Sequence, residues 1–99
     1  AGAAAALDSS KQVTGTPSSI LTYNLDRTTK NPSEYPIFMA SNEVACASYS
    51  DASTTAIVKA WLTYIISEQG QKAAAANAYS APLPSGVAAK EKSIVDQMG

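Results

Sequence analysis

The stretch Trp61-Leu62-Thr63-Tyr64-Ile65-Ile66-Ser67-Glu68-Gln69-Gly70-Gln71, followed by alanine at 73–76 and by Ser80-Ala81-Pro82-Leu83-Pro84, decides how this chain is read. Upstream of it, Ile57, Trp61, Tyr64 and Ile65 recur at three-four spacing, and Val58, Leu62 and Ile66 widen the stripe. That pattern predicts a helix over residues 52–68, covered on more than half its circumference. Asp51 stands where a carboxylate can accept from the free amides of the first turn and oppose the helix dipole. Gly70 is suited to a left-handed stop. Residues 71–78 then read as a short alanine-rich helix able to pack closely against a neighbour. Pro82 and Pro84 lack an amide hydrogen and forbid helix through the turn. Ser85 is the expected cap of a last helix over 86–98, which would bury Val87, Ile94, Val95 and Met98.

Working back from this segment, the pattern changes period. Residues 20–25 place Leu21, Tyr23 and Leu25 on one face and predict a strand, while 37–40 and 44–47 are apolar runs that predict two short strands buried on both faces. Residues 11–18 and 26–35, with Gly15, Pro17 and Pro32 among polar neighbours, read as loops. Residues 2–10 open with alanine and leucine at helix-forming density but lack a capping residue ahead of the first turn. Such a start is expected either of a mature N-terminus left by signal-peptide cleavage or of a chain whose earlier part has been removed. The fold class is therefore α/β.

Composition excludes more than it selects. At 99 residues the chain makes one small domain at most, and its share of buried surface is marginal. Seven basic residues against eight acidic ones, scattered along the chain, give a net charge of −1 and no electrostatic footprint for nucleic acid or anionic lipid. No apolar run approaches the roughly 20 residues that a membrane helix requires. With no histidine and the single cysteine Cys46, a zinc site of ordinary ligands, an internal disulfide and a Cys/His nucleophile are all excluded, so no metal, cofactor or catalytic residue is expected. Cys46 between two alanines reads as a small buried core residue, with a disulfide to a cysteine outside this chain as the sharper alternative.

Tyr35-Pro36-Ile37, Ser67-Glu68-Gln69-Gly70-Gln71, the alanines at 73–76 and Pro82-Leu83-Pro84, in that order and at this spacing, resemble the C-terminal part of the phosphate-binding protein of bacterial phosphate ABC transporters, in its actinobacterial form. The stretches from Gly15 to Ser19 and from Leu25 to Arg27 extend the resemblance over nearly the whole chain. Tyr79 departs from it, since relatives often carry glycine before the Ser-Ala-Pro-Leu-Pro turn. The resemblance implies a two-lobed, type-II periplasmic-binding-protein fold that traps inorganic phosphate without chemistry, on a lipoprotein outside the cytoplasm that delivers to an ABC permease. It also implies that residues 1–34 end the second lobe, that 35–37 cross between lobes, and that 37–99 return to the first. The missing N-terminal portion of the same protein is then a partner and carries the phosphate ligands, none of which is assigned to this chain. A binding protein for sulfate or molybdate, or a small secreted protein-interaction module, are the alternatives.

Three clusters invite a functional reading. Arg27, with Asp26, Thr28 and Thr29, resembles an anion-binding group but reads better as solvated surface charge. Asp51, Ser53, Thr54 and Thr55 could face an anion but match ordinary capping chemistry. Trp61 and Tyr64 read as core packing rather than a ligand box. Tyr35, Pro36 and Ile37 are assigned as a hinge, because proline stiffens its own backbone and that of the residue before it and so suits a crossover rigid on one side, with a stiff loop of no further function as the equal alternative.

Overall fold

The computed structural model describes residues 1–15 and 17–99; Thr16, in the Gly15-to-Ser19 stretch, lies outside the described residues. Among them are four helices and one two-stranded sheet, a mixed but mostly helical architecture: α1 (Gly2–Asp8), β1 (Lys11–Gln12), β2 (Tyr23–Asn24), α2 (Ala52–Ile66), α3 (Glu68–Ala78) and α4 (Ser85–Asp96). The strands pair antiparallel with Lys11 opposite Asn24 and Gln12 opposite Tyr23. Val13 N–H donates to Thr22 O at 2.8 Å and extends the hairpin by one rung.

The helices form where expected, with different ends. Asp51 Oδ2 accepts from both Thr54 N–H and Thr54 Oγ1 at 2.8 Å, so α2 starts on the cap read from the sequence. It stops two residues before the expected end. Ser67 is at once the C-cap of α2 and the N-cap of α3, its hydroxyl donating to Tyr64 O at 2.6 Å and accepting from Gly70 N–H at 3.1 Å. Gly70 is therefore not a left-handed stop but a buried residue in the first turn of α3. The left-handed position is taken by Tyr79, which ends α3 at φ 55°. The cap of α4 is Pro84, which makes no side-chain cap bond, and Ser85 is already helical.

Tyr79 bears a cost that glycine would not. A Cβ in the left-handed region strains against the following carbonyl by about 1 kcal/mol or more. Because the Tyr79 side chain is 93 % exposed, its removal sacrifices little packing. Tyr79→Gly is expected to stabilise the fold by about 1 kcal/mol, seen as a rise in the denaturation midpoint at unchanged slope.

The strands expected at 37–40 and 44–47 do not form. Both segments are irregular and join no ladder among the described residues; Met39 is 93 % and Val44 95 % exposed. A strand is stabilised by its ladder partner and by side chains packed on its faces, and apolar runs with neither cannot hold the conformation. Cys46, in the second run, is exposed rather than buried. Conversely Lys11–Gln12, read as loop, becomes a strand because β2 offers it a partner.

The core is small. Ala6, Leu7, Val87, Val95 and Met98 are its buried apolar residues, joined by Thr55, and no side chain is fully enclosed among the described residues. Val87, Val95 and Met98 are as expected of α4, whereas Ile94 is only half-buried. Helix α2 packs against both α3 and α4. Lys59 on α2 fixes the second contact: its Nζ donates at 2.9 Å to Asp96 O and to Met98 O, placing a cation where helix carbonyls lack partners. The same lysine interrupts the apolar run in sequence, a signal of a polar task inside a packed interface. Lys90 on α4 reaches the hairpin, donating to Gln12 Oε1 at 2.9 Å with its ammonium 5.7 Å from the Tyr23 ring centroid.

Candidate functional site

The residues of the Ser67-to-Gln71 motif assemble one joint. Ser67 turns the chain between α2 and α3, and Gly70 lets α3 start against the end of α2, where a Cβ would lie 2.2 Å from Tyr64 O. Gln71 spans the joint. Its Nε2 donates to Ile65 O at 2.7 Å, while its Oε1 accepts from Leu83 N–H at 2.9 Å and holds the Pro82-Leu83-Pro84 loop. The end of α2 and the Pro82-Leu83-Pro84 loop thus close on one amide side chain of the Ser67-to-Gln71 motif. Glu68, one residue after the cap, is paired with Lys72 at 2.6 Å, and that partner holds its carboxyl below the usual range.

The loop 26–38 satisfies itself. Asp26 Oδ1 accepts at 2.8 Å from both Thr28 N–H and Thr28 Oγ1, the backbone bond first among the causes that lower its pKa. Glu34 accepts from Thr29 Oγ1 at 2.7 Å and Asn31 Nδ2 at 3.0 Å, and the Thr29 bond chiefly keeps it low as well. Arg27 is not simply solvated: Nη1 donates to Pro36 O at 2.5 Å and Phe38 O at 2.8 Å, with the guanidinium 5.3 Å from the Phe38 ring centroid. The Thr28 and Thr29 hydroxyls are thus engaged by two carboxylates and Nη1 of Arg27 by two carbonyls.

At the start of α2, Asp51 already occupies the helix end as a carboxylate whose pKa is lowered chiefly by the Thr54 hydroxyl. Thr55 is buried by structure, accepting from Tyr49 N–H at 3.0 Å and donating to Asp51 O at 3.3 Å. Asp51, Thr54 and Thr55 accordingly serve as cap and loop anchor.

The outer face of α2 corrects the reading of Trp61 and Tyr64. Trp61, Tyr64 and Ile57 are exposed, and the two aromatic rings rest on each other at 6.4 Å, tilted by 34°. The side facing the rest of the chain is formed instead by Thr55, Val58, Leu62, Ile65 and Ile66, all buried or half-buried. Beside it lies an open groove of about 270 Å³ lined by Thr63, Ile66, Ser67, Ala88, Ala89 and Lys92. Lys92, its only charge, is paired with Asp96 at 2.6 Å.

Tyr35, Pro36 and Ile37 lie at a bend between the loop and the irregular segment. Tyr35 N–H donates to Gly2 O at 3.0 Å, binding this point to α1. One further polar group lies near the hairpin: the Tyr23 hydroxyl is shielded without a hydrogen bond among the described residues, and burial raises its pKa and that of the half-buried Glu91 on α4. Among the described residues no cluster of His, Cys, Asp and Glu could hold a metal ion, and no helix is long and apolar enough to cross a membrane. No family model matches this chain, and neither a curated protein nor a solved structure is significantly similar to it.

Proposed function

We propose that this chain is the C-terminal part of an extracytoplasmic phosphate-binding lipoprotein, of the type-II periplasmic-binding-protein fold, that delivers inorganic phosphate to an ABC permease. The observation that carries the reading is the ordered set of motifs, Tyr35-Pro36-Ile37, Ser67 to Gln71 and Pro82-Leu83-Pro84. The last two are joined by the hydrogen bond from Leu83 N–H to Gln71 Oε1, which supports treating them as one unit.

The surface supports a larger whole. The chain exposes 6971 Å². A folded monomer of its 10.2 kDa exposes about 5,300 Å². The excess, roughly 1,600 Å², is about twice what one partner contributes to a standard interface. The radius of gyration of 14.7 Å likewise exceeds the ~13 Å of a compact chain this long. In this reading, residues 1–34 close the second lobe and 37–99 return to the first. The uncovered side of α2 and the unpaired runs at 37–40 and 44–47 meet the missing N-terminal portion.

The test is calorimetric titration with phosphate, sulfate and molybdate. This chain alone is expected to bind none of them at micromolar concentration, because a trap requires both lobes. The longer protein encoded with the sequence upstream of Ala1 is expected to bind phosphate with one site and micromolar or tighter affinity. Stoichiometric micromolar binding by this chain alone overturns the proposal, as does a longer protein that ignores phosphate; preference for sulfate or molybdate moves the ligand and leaves the trap. A secreted interaction module is favoured only by the exposed α2 face.

A further inference from the structure

We infer that Arg27 straps residues 35–38 to the N-terminal part of the chain, so that the pivot between the two parts lies in residues 39–45 and not at Tyr35-Pro36-Ile37; the inference rests on the proposed crossover between lobes. Two carbonyls, Pro36 O and Phe38 O, converge on the single Nη1 of Arg27 at 2.5 and 2.8 Å, and the chain bends around it at Ile37, whose side chain points outward. The flat guanidinium also lies against the Phe38 ring, 5.3 Å from its centroid. A planar cation that lies on an aromatic face while one of its nitrogens donates to two carbonyls suits arginine. On the other side Tyr35 N–H is held by Gly2 O. Glycine suits this close approach, since a Cβ at Gly2 would stand 3.0 Å from Tyr35 Cβ. The segment is thus tied to α1 and to the loop after β2, with proline stiffening its middle.

The ties end at Phe38. From residue 39 to residue 45 the described hydrogen bonds reduce to one, Asn42 Nδ2 to Ala40 O at 3.5 Å. They resume with Cys46 N–H to Tyr49 Oη at 3.2 Å, Tyr49 N–H to Thr55 Oγ1 on α2 at 3.0 Å and Gly99 N–H to Ala47 O at 3.1 Å, which bind the far side to α2 and to the end of the chain after α4. Backbone that is solvated and free of packed side chains is the low-stability part of a fold and absorbs dihedral change first. Movement about residues 39–45 would have to break the exposed Lys90 contacts to Gln12 and Tyr23 and to part the end of α1 from the start of α4, where Asp8 lies beside Gly86.

The experiment is ¹⁵N relaxation of the phosphate-free chain, wild type against Arg27→Gln, with the amides of α2 and α4 as the folding control. In the wild type, Ile37 and Phe38 are expected near the order parameter of ~0.85 found in rigid backbone, and residues 40–45 below about 0.6. In Arg27→Gln, Ile37 and Phe38 are expected to fall to the level of 40–45. Phe38→Leu keeps both carbonyl bonds and removes the ring, and should give a smaller fall; it also keeps the test open if Arg27→Gln does not fold. Wild-type Ile37 and Phe38 already as mobile as 40–45, or unchanged in both variants, would overturn the inference. No phosphate enters the measurement, so a failed phosphate titration and a failed strap are separate results.

Discussion

Gly70→Ala is expected to be the most damaging single substitution in this chain. The added Cβ would stand 2.2 Å from Tyr64 O and 3.2 Å from Ile65 Cα, both backbone atoms, so no side chain can turn aside to make room. Either α3 retreats from the end of α2 or its first turn unwinds. Retreat breaks the Ser67 cap of α3 and both bonds of Gln71, which releases Leu83 and the loop that leads into α4. Overpacking against rigid backbone costs about 3 kcal/mol or more. For a chain with so small a core that is a large part of the total stability. Urea denaturation followed by far-ultraviolet circular dichroism should show a loss of the cooperative transition or a midpoint lowered by well over half. The outcome that sinks the close-approach argument is a midpoint within experimental error of wild type. Gly70→Ser would be expected to behave alike, since the obstacle is the Cβ and not what it carries.

The second large effect is on association. The α2 face made by Ile57, Trp61 and Tyr64 has no cover, and the only charge on α2, Lys59, is spent on the end of α4. An apolar surface of this kind on a chain of net charge −1 has little to keep copies apart. The isolated chain is expected to sediment as dimers or larger species at micromolar concentration. Ile57→Glu with Trp61→Glu should restore a monomer at little cost in stability, because Ile57 and Trp61 are already 69 % and 56 % exposed. A wild-type chain that stays monomeric and unfolds cooperatively would remove the case for a covering partner. Adding the N-terminal portion of the proposed longer protein should compete with self-association in the wild type and fail to do so in the double variant.

Much of the local architecture was legible because it depends on near neighbours. The three-four periodicity from Ile57 to Ile66 needs no partner to be recognised as helical, and a carboxylate three residues before Thr54 caps by geometry that the backbone itself imposes. The alanines and the two prolines placed α3 and the following turn within a few residues. Gly70 and Tyr79 show where this reasoning stops. Glycine is used both for positive φ and for close approach, and the sequence alone does not say which. Here Gly70 serves the close approach to Tyr64 O at the start of α3, and the left-handed position at its end is held by Tyr79.

The candidate site was less legible, since its side chains act at a distance along the chain. Arg27 looked like a free charge because its partners, Pro36 O and Phe38 O, are carbonyls that every residue possesses and no residue type advertises. Gln71 stood in a recognised motif, yet its tie to Leu83 appears only when α3 has turned back on α2.

What the sequence by itself determined is the set of helices, the cap of α2 and the buried positions Val87 and Val95 on α4 and Met98 just after it, all consequences of periodicity and local hydrogen bonding. What only the tertiary structure decided is which sides meet and which segments find partners. The apolar runs at 37–40 and 44–47 have strand composition, and Lys11–Gln12 does not, yet Lys11–Gln12 is the strand. The reason is that a strand's hydrogen bonds run to another segment: β2 stands beside Lys11 and Gln12 and pairs with them, whereas among the described residues the two apolar runs meet single groups, such as Arg27 at Phe38 O and Gly99 at Ala47 O, and no strand.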